Sequence, residues 1–112
     1  MDQLSLAFHA LADPTRRAIL MRLAKSDATV NELAEPFDLR LPTISKHLKV
    51  LQQASLVSQT REAQRRHCHL ESGALKEVAE WVWNCRTHWE ASFDRLDAFL
   101  NDIEAATKAS KN

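Results

Sequence analysis

The spacing of apolar residues predicts two amphipathic helices at the start of the chain. Residues 3–11 carry apolar side chains at helical intervals. Asp13-Pro14 then opens a second helix, because Asp is a good N-cap and Pro tolerates the first turn, where its missing N–H would be unpaired anyway. The apolar stripe of the second helix is formed by Ile19, Leu20 and Leu23.

A capping box marks the start of a third helix. Thr29 caps the first turn, and Glu32, three residues later, reaches back to the cap. We expect this helix to extend to Phe37, shortened or distorted by Pro36 inside the pattern.

A fourth helix is predicted over residues 42–54, where Pro42 sets the first turn. Its apolar residues Ile44, Leu48 and Leu51 follow the i, i+4, i+7 spacing of one buried face. The opposite face is polar and cationic: it carries Thr43, Lys46, Lys49 and Gln53, with Ser45 and His47 on its flanks.

After the fourth helix, two runs rich in β-forming residues, 56–60 and 67–70, flank a mainly basic stretch at residues 61–66. This arrangement predicts a β-hairpin with a basic tip.

One long helix is predicted over residues 73–106, about 50 Å at 1.5 Å per residue. Its apolar stripe is widened by tryptophan and phenylalanine, and is too long for one chain of 112 residues to bury. A break near Asn84–Thr87, where the stripe weakens, stays an open alternative. Residues 107–112 are expected to fray.

Charge is unevenly distributed along the chain. There are 15 basic and 15 acidic residues in total, but residues 40–69 hold six basic residues and one acidic residue, Glu62. A neutral chain with a concentrated basic third can bind a polyanion.

These elements together predict a fold that is mainly α with a small β-hairpin, in a single domain over residues 1–106. The third and fourth helices form a helix-turn-helix at about 30–54, and the hairpin at about 56–71 follows it as a wing. In such a motif the second helix enters the major groove, and a basic hairpin contacts phosphates or the minor groove. The predicted partner is therefore double-stranded DNA.

The sequence resembles the ArsR/SmtB family of winged helix-turn-helix transcriptional repressors over about residues 4–100. The matching strings are FHALADPTRRAILMRL, ELAEPFDLRLPTISKHLKVLQQASLV and QTREAQRRHCHL. The Trp-rich last helix, EWVWNCRTHWEASFDRLDAFL, is similar to a branch of that family without metal ligands. The resemblance implies a homodimer built on the first and last helices that binds a palindromic operator.

Site residues are expected on the recognition helix, the wing and the two dimerisation helices. The expected DNA-binding residues are Arg40, Pro42, Thr43, Ser45, Lys46, His47, Lys49, Arg61, Gln64, Arg65 and Arg66. The expected dimer contacts are Leu4, Phe8, Trp89, Phe93, Leu96 and Leu100. Arg16 and Arg17 match an arginine pair of the family, which implies an approach to the DNA backbone.

Three residues depart from the family pattern. Ser55 and Ala63 stand where the family usually has glycine, at the end of the recognition helix and at the wing tip. Arg40 replaces a small N-capping residue, at the cost of a cap worth ~1 kcal/mol.

No enzyme, metal or cofactor chemistry is predicted. The chain has one glycine, so it lacks a phosphate-binding loop, and no nucleophile stands in a recognisable setting. Cys85 and His88 are only two residues on one helix, and His67, Cys68 and His69 follow one another on one strand, so neither set supplies the three or four converging ligands of a metal site. No signal peptide and no membrane span are evident, which favours a soluble cytoplasmic protein.

Two alternatives stay open. A helical dimer would act through a protein partner and never contact DNA. A responsive repressor would use Cys68 and Cys85 as thiols, or bind a small molecule in the cleft of Trp81, Trp83, Trp89 and Phe93. The inducer, if any, is unknown.

Overall fold

A computed structural model of the chain describes residues 1–110, which form helices and a small sheet. The predicted class, a winged helix-turn-helix that is mainly α, is confirmed. The elements are α1 (Gln3–Leu11), α2 (Pro14–Leu23), β1 (Ala28–Thr29), α3 (Val30–Ala34), α4 (Leu41–Gln53), β2 (Val57–Glu62), β3 (Arg65–Leu70) and α5 (Ser72–Ser110).

The helix starts are set by the caps that the sequence predicts. Asp13 accepts a hydrogen bond from the backbone N–H of Arg16 at 3.0 Å and so caps α2. Thr29 and Glu32 exchange the two bonds of the capping box, at 3.2 and 3.1 Å. Arg40 caps α4 with its backbone alone, because its side chain makes no capping hydrogen bond.

Helix α3 is shorter than predicted. It ends at Ala34 and does not extend to Phe37. Pro36 brings no N–H to the helical ladder, and its ring clashes with the preceding turn, so the chain leaves the helix. Phe37 then turns back and packs, half-buried, against the core.

Two turns adopt a left-handed backbone without glycine. Ser55 (φ 59°) follows α4, where Leu56 N–H bonds to Leu51 O and Ser55 N–H bonds to Gln52 O, both at 3.0 Å. This pair of bonds is a Schellman motif, which usually places glycine at the position of Ser55. Ala63 (φ 56°) is the first residue of the two-residue turn between β2 and β3.

The wing is a three-stranded antiparallel sheet in the order β1-β3-β2. Strand β2 pairs with β3 from Val57 opposite Leu70 to Glu62 opposite Arg65. Strand β1 pairs with the other edge of β3, and this strand was not predicted, because two residues are too short to show an alternating pattern.

The chain divides into two compact units, Met1–Val78 and a second that begins at Ala79. The core of the first unit is apolar, and the rear face of α4 is central to it: Ile44, Leu48 and Leu51 are 0% exposed.

Helix α5 is longer than the predicted 73–106 and continues without a break through Asn84–Thr87. Residues 107–110 were expected to fray but are helical. Near this end, Lys108 pairs with Glu104 at 3.7 Å, and an ion pair at this i, i+4 spacing supports the last turns of the helix. The rest of the predicted tail, residues 111–112, lies outside the described residues.

Cys68 lies on β3 and is completely buried in the core. Burial raises the pKa of its thiol to about 11, although the nearby charge of Arg66 acts in the opposite direction. The folded state therefore favours the neutral thiol. Its stabilising contribution is full below the pKa of the unfolded thiol and is lost as the pH rises toward 11.

The left-handed residues give a first prediction. Ser55→Gly and Ala63→Gly should each raise the free energy of unfolding by about 0.5–1 kcal/mol, because glycine relieves the left-handed strain but gains freedom in the unfolded chain. The measurement is urea unfolding at fixed protein concentration. The control is Ala24→Gly at the exposed end of α2, where φ is −64°, and there glycine should destabilise by ~0.5–1 kcal/mol. Equal effects at all three positions would contradict the strain argument.

Burial of Cys68 gives a second prediction. In a Cys85→Ala protein at pH 8, the folded chain should hold about a hundred times less thiolate than the unfolded chain, so an aromatic disulfide reagent should react with it more slowly by at least that factor. The same protein in denaturant is the control. Rapid reaction of folded protein would show that Cys68 is accessible.

Candidate nucleic-acid interface

Helix α4 separates its residues into a buried and an exposed face, as the sequence predicts. With the rear face packed in the core, the front presents Thr43, Lys46 and Lys49 to solvent. Arg40 and Pro42 are exposed at the start of the helix, whereas Ser45 and His47 are half-buried on its flanks.

The wing brings arginines together across the two strands. Arg61 on β2 lies directly opposite Arg66 on β3, and all the predicted wing residues, including Gln64 and Arg65, are exposed. Like charges directly opposite each other repel, so this pair is unfavourable without a counter-charge. The arrangement suits an anionic ligand.

A hydrogen bond joins the wing to α4. Arg66 Nη2 donates to Ser45 Oγ at 3.2 Å, although the two residues are 21 positions apart in sequence. Two regions that were predicted separately therefore form one continuous surface, with Ser45 engaged by the wing.

A polar cleft of about 450 Å³ lies between the start of α3 and the wing tip. Its basic side is Arg65 and Arg66, and its acidic side is Glu32, whose carboxylate is held by the Thr29 cap. The hydrogen bonds from Thr29 lower the pKa of Glu32, because they stabilise the carboxylate. The remaining lining residues are Val30, Asn31 and Gln64.

His47 faces an ion cluster at the start of α2, which sequence reasoning did not find. Its Nδ1 lies 3.4 Å from Arg16 Nη1 and 3.9 Å from Asp13 Oδ2. The backbone N–H of Arg16 lowers the pKa of Asp13; the positive charge of Arg16 adds to this, as does that of His47 when its ring is protonated. The contact spans 31 positions, so no local pattern could indicate it.

The two early arginines bind protein carbonyls. Arg16 Nε donates to Ala10 O at 2.7 Å and Nη2 to His9 O at 3.1 Å, while Arg17 Nη1 donates to Leu11 O at 2.7 Å. These carbonyls belong to the last turn of α1, whose orphan acceptors are thereby satisfied. The pair thus caps α1, a role that the sequence had not indicated.

A second histidine cluster supports the base of the wing and was also missed. His69 Nδ1 lies 2.7 Å from Asp27 Oδ2, and its Nε2 lies 2.8 Å from Thr60 Oγ1. These contacts tie β3 to β2 and to the segment just before β1. The sequence gives little local signal for these contacts, because strand β1, which directly follows Asp27, consists of only two residues.

The residues predicted to form dimer contacts are half-buried or exposed. Leu4 is half-buried on α1 and Phe8 is 38% exposed. On α5, Trp89, Phe93 and Leu96 are 41%, 61% and 51% exposed, and Leu100 is similar.

Aromatic contacts order the same part of α5. The rings of Trp81 and Trp89 meet edge to face, with centroids 5.6 Å apart, and Arg86 lies over the Trp83 ring at 4.8 Å. A surface cavity of about 400 Å³ lies along this part of α5. It is lined by Ala79, Val82, Trp83, Arg86, Trp89, Glu90 and Phe93.

Two further observations concern other chemistry. Among residues 1–110, no three His, Cys, Asp or Glu side chains meet in a group that would hold a metal ion. Within the same residues, no helix is both long and apolar enough to cross a membrane.

Known proteins are similar to this chain in sequence and in structure. A family described as a helix-turn-helix domain matches residues 11–60. The transcriptional repressor SdpR of Bacillus subtilis (strain 168) is 39% identical over 77 residues, which are 69% of this chain and 86% of that protein.

Two solved structures are similar over most of the chain. A crystal structure of an ArsR family transcriptional regulator is 41% identical with a TM-score of 0.74, and the match covers 79% of this chain and 91% of that one. The solution structure of a homodimeric winged helix-turn-helix DNA-binding domain from Mycobacterium bovis, a possible ArsR-family regulator, is 27% identical with a TM-score of 0.63, over 80% and 84% of the two chains. With its exposed cationic helix and arginine wing, this chain belongs to the ArsR/SmtB family of DNA-binding transcriptional regulators.

Proposed function

We propose that the protein represses transcription as a homodimer bound to a palindromic DNA operator. One observation carries the proposal: the exposed front of α4 and the arginine wing form one surface, joined by the bond from Arg66 to Ser45. In each protomer, α4 enters the major groove and the wing follows the neighbouring backbone.

The two parts of the surface have different tasks. Thr43 and Lys46 lie on the exposed early part of α4, within reach of base edges once the helix is in the groove. Lys49, Arg61 and Arg65 supply charge to phosphates, which positions the protein without reading sequence. Arg66 supports both parts, because it holds Ser45 while it adds charge beside the helix.

Dimerisation rests on the apolar stripe of α5. Its large side chains keep about half of their surface exposed, and a patch of this kind marks an association surface. A second copy of the chain offers a stripe of the same pattern, as a two-fold interface requires. Two recognition helices then meet half-sites about 34 Å apart.

Two of the open alternatives, a protein partner without DNA and a thiol sensor based on Cys68, are weaker on the same observations. Arginines placed opposite each other on the wing suit a polyanion such as DNA better than an uncharged protein surface. A thiol sensor needs a reactive thiolate, and burial, which raises the pKa of Cys68, keeps this thiol neutral at physiological pH.

Selection of bound duplexes from a random DNA pool tests the proposal. On the selected operator, Thr43→Ala should change the preference among base-pair variants by ~1–3 kcal/mol for each good base contact that alanine cannot make. Arg65→Ala should weaken binding to all duplexes alike and reduce the salt slope by about one unit for each phosphate that is no longer neutralised. Lys108→Ala removes the same charge far along α5 and serves as the control.

Two outcomes would contradict the assignment of α4 as the recognition helix. Scrambled duplexes would bind as tightly as any selected one, or Thr43→Ala would leave the base preference unchanged.

The dimer gives a separate prediction. Trp89→Ala should lower the free energy of unfolding of the dimer by ~3–5 kcal/mol, because it removes a large side chain from the centre of the stripe. Sedimentation should show a dimer for the native chain, with a midpoint of unfolding that depends on concentration. Thr87→Ala, on the opposite side of the helix, should have little effect. A fully folded monomer at micromolar concentration would refute the proposal.

A further inference from the structure

We infer that His47 contacts DNA as a hydrogen-bond donor through Nε2, because Arg16 fixes the tautomer of its ring. The inference rests on the proposed function, in which α4 is the recognition helix. It adds that His47 donates the hydrogen bond at this contact and that Arg16 determines which ring nitrogen carries the proton.

The Arg16 guanidinium is held in place from three directions. Nε donates to Ala10 O and Nη2 donates to His9 O, so the group is anchored on the end of α1. Its remaining nitrogen, Nη1, lies 3.4 Å from His47 Nδ1. A guanidinium has five N–H donors and no acceptor. His47 Nδ1 must therefore accept, and the proton of the neutral ring is on Nε2.

Asp13 offers the competing arrangement, in which His47 Nδ1 would carry the proton and donate to the carboxylate. Distance disfavours it, since Asp13 Oδ2 is 3.9 Å away and outside hydrogen-bond range. The same oxygen already accepts from the backbone N–H of Arg16 at 3.0 Å. The Asp13 carboxylate therefore stabilises the cluster by its charge, and His47 Nδ1 accepts from Arg16 Nη1.

His47 Nε2 is open to solvent. Within the described part of the chain, no buried side-chain nitrogen or oxygen lacks a hydrogen-bond partner. No residue in that part bonds to His47 Nε2, and the side chain is 19% exposed, so this nitrogen reaches the surface. Thr43 lies four residues earlier on α4, and side chains at this spacing are neighbours on a helix. The N–H therefore stands beside a proposed base-reading residue.

A fixed donor restricts what His47 accepts as a partner on DNA. Guanine N7 and O6, adenine N7, thymine O4 and phosphate oxygens can accept from it. The amino groups of cytosine and adenine cannot, because they need an acceptor. A histidine free to change tautomer would not make this distinction.

His69 provides a comparison within the same protein, because its contacts place the proton on the other ring nitrogen, Nδ1. Its Nδ1 lies 2.7 Å from Asp27 Oδ2, and an ionised carboxylate only accepts, so Nδ1 carries the proton. Its Nε2 is 2.8 Å from Thr60 Oγ1 and accepts from that hydroxyl when the ring is neutral. The two histidines therefore hold opposite tautomers in one molecule.

Nitrogen-15 NMR of the free protein tests the tautomers without DNA. Spectra are recorded at high pH, because a tautomer is defined only for a neutral ring. His47 should show a protonated Nε2 and a bare Nδ1, and His69 the reverse. Asp13→Asn keeps an N-cap and should leave His47 unchanged, whereas Arg16→Gln, whose amide both donates and accepts, should give a mixture. A proton on Nδ1 of His47 in the native protein would overturn the inference.

Binding to the selected operator tests the donor role. His47→Gln places an amide N–H near the position of Nε2, whereas His47→Asn places it near Nδ1. We expect His47→Gln to bind within about twofold of the native protein and His47→Asn to bind about two- to tenfold more weakly, the value of one hydrogen bond. Equal affinity of both variants and the native chain would overturn the donor role while sequence-specific binding stands. Failure of the native chain to prefer any operator would instead overturn the proposed function, and the NMR result would be unaffected.

Discussion

The packing of the rear face of α4 into the core is the constraint on which the proposed DNA-binding surface depends. Ile44, Leu48 and Leu51 are fully buried, and Leu56, just after the left-handed turn at Ser55, is buried with them. Cys68 joins the same core from β3, so the helix and the wing are fixed by one packed interior. The surface is therefore preorganised, and binding does not have to order it, which saves conformational entropy.

A polar layer above this core fixes side chains as the core fixes the backbone. Ser45 is held by Arg66 from the wing, and His47 is held by Arg16 from α2. Each contact uses a guanidinium, which cannot accept a hydrogen bond and so determines how its partner must be oriented. The side chains on the two flanks of α4 are thus oriented by residues of other elements.

The sequence indicates those parts of the fold that have a local cause. Helices with caps at Asp13 and Thr29, the two faces of α4 and the basic hairpin all follow from spacing and residue type. Strand β1 was missed because it consists of two residues that form only by pairing with β3. The end of α3 was misplaced because Phe37 continues the apolar spacing of the helix, whereas the missing N–H and the ring of Pro36 end the helix before it.

The exposure of the predicted site residues follows from the sequence, whereas the contacts between them do not. Exposed residues such as Thr43 and Lys46 follow from the helical period, whereas the partners of Ser45 and His47 come from 21 and 31 positions away. Such contacts are set by tertiary packing, and a single sequence holds no pattern that reports them. The same limit applies to α5, where the weakened stripe suggested a break that the continuous helix does not have.

The positions of the tryptophans determine what the intrinsic fluorescence of the protein can report. The chain contains no tyrosine, and its three tryptophans, at positions 81, 83 and 89, all lie within nine residues of α5. Intrinsic fluorescence therefore arises from this one stretch of helix and is silent about α4 and the wing. The emission wavelength and the quenching of this fluorescence will therefore report what covers α5, without an added label and without a signal from α4 or the wing.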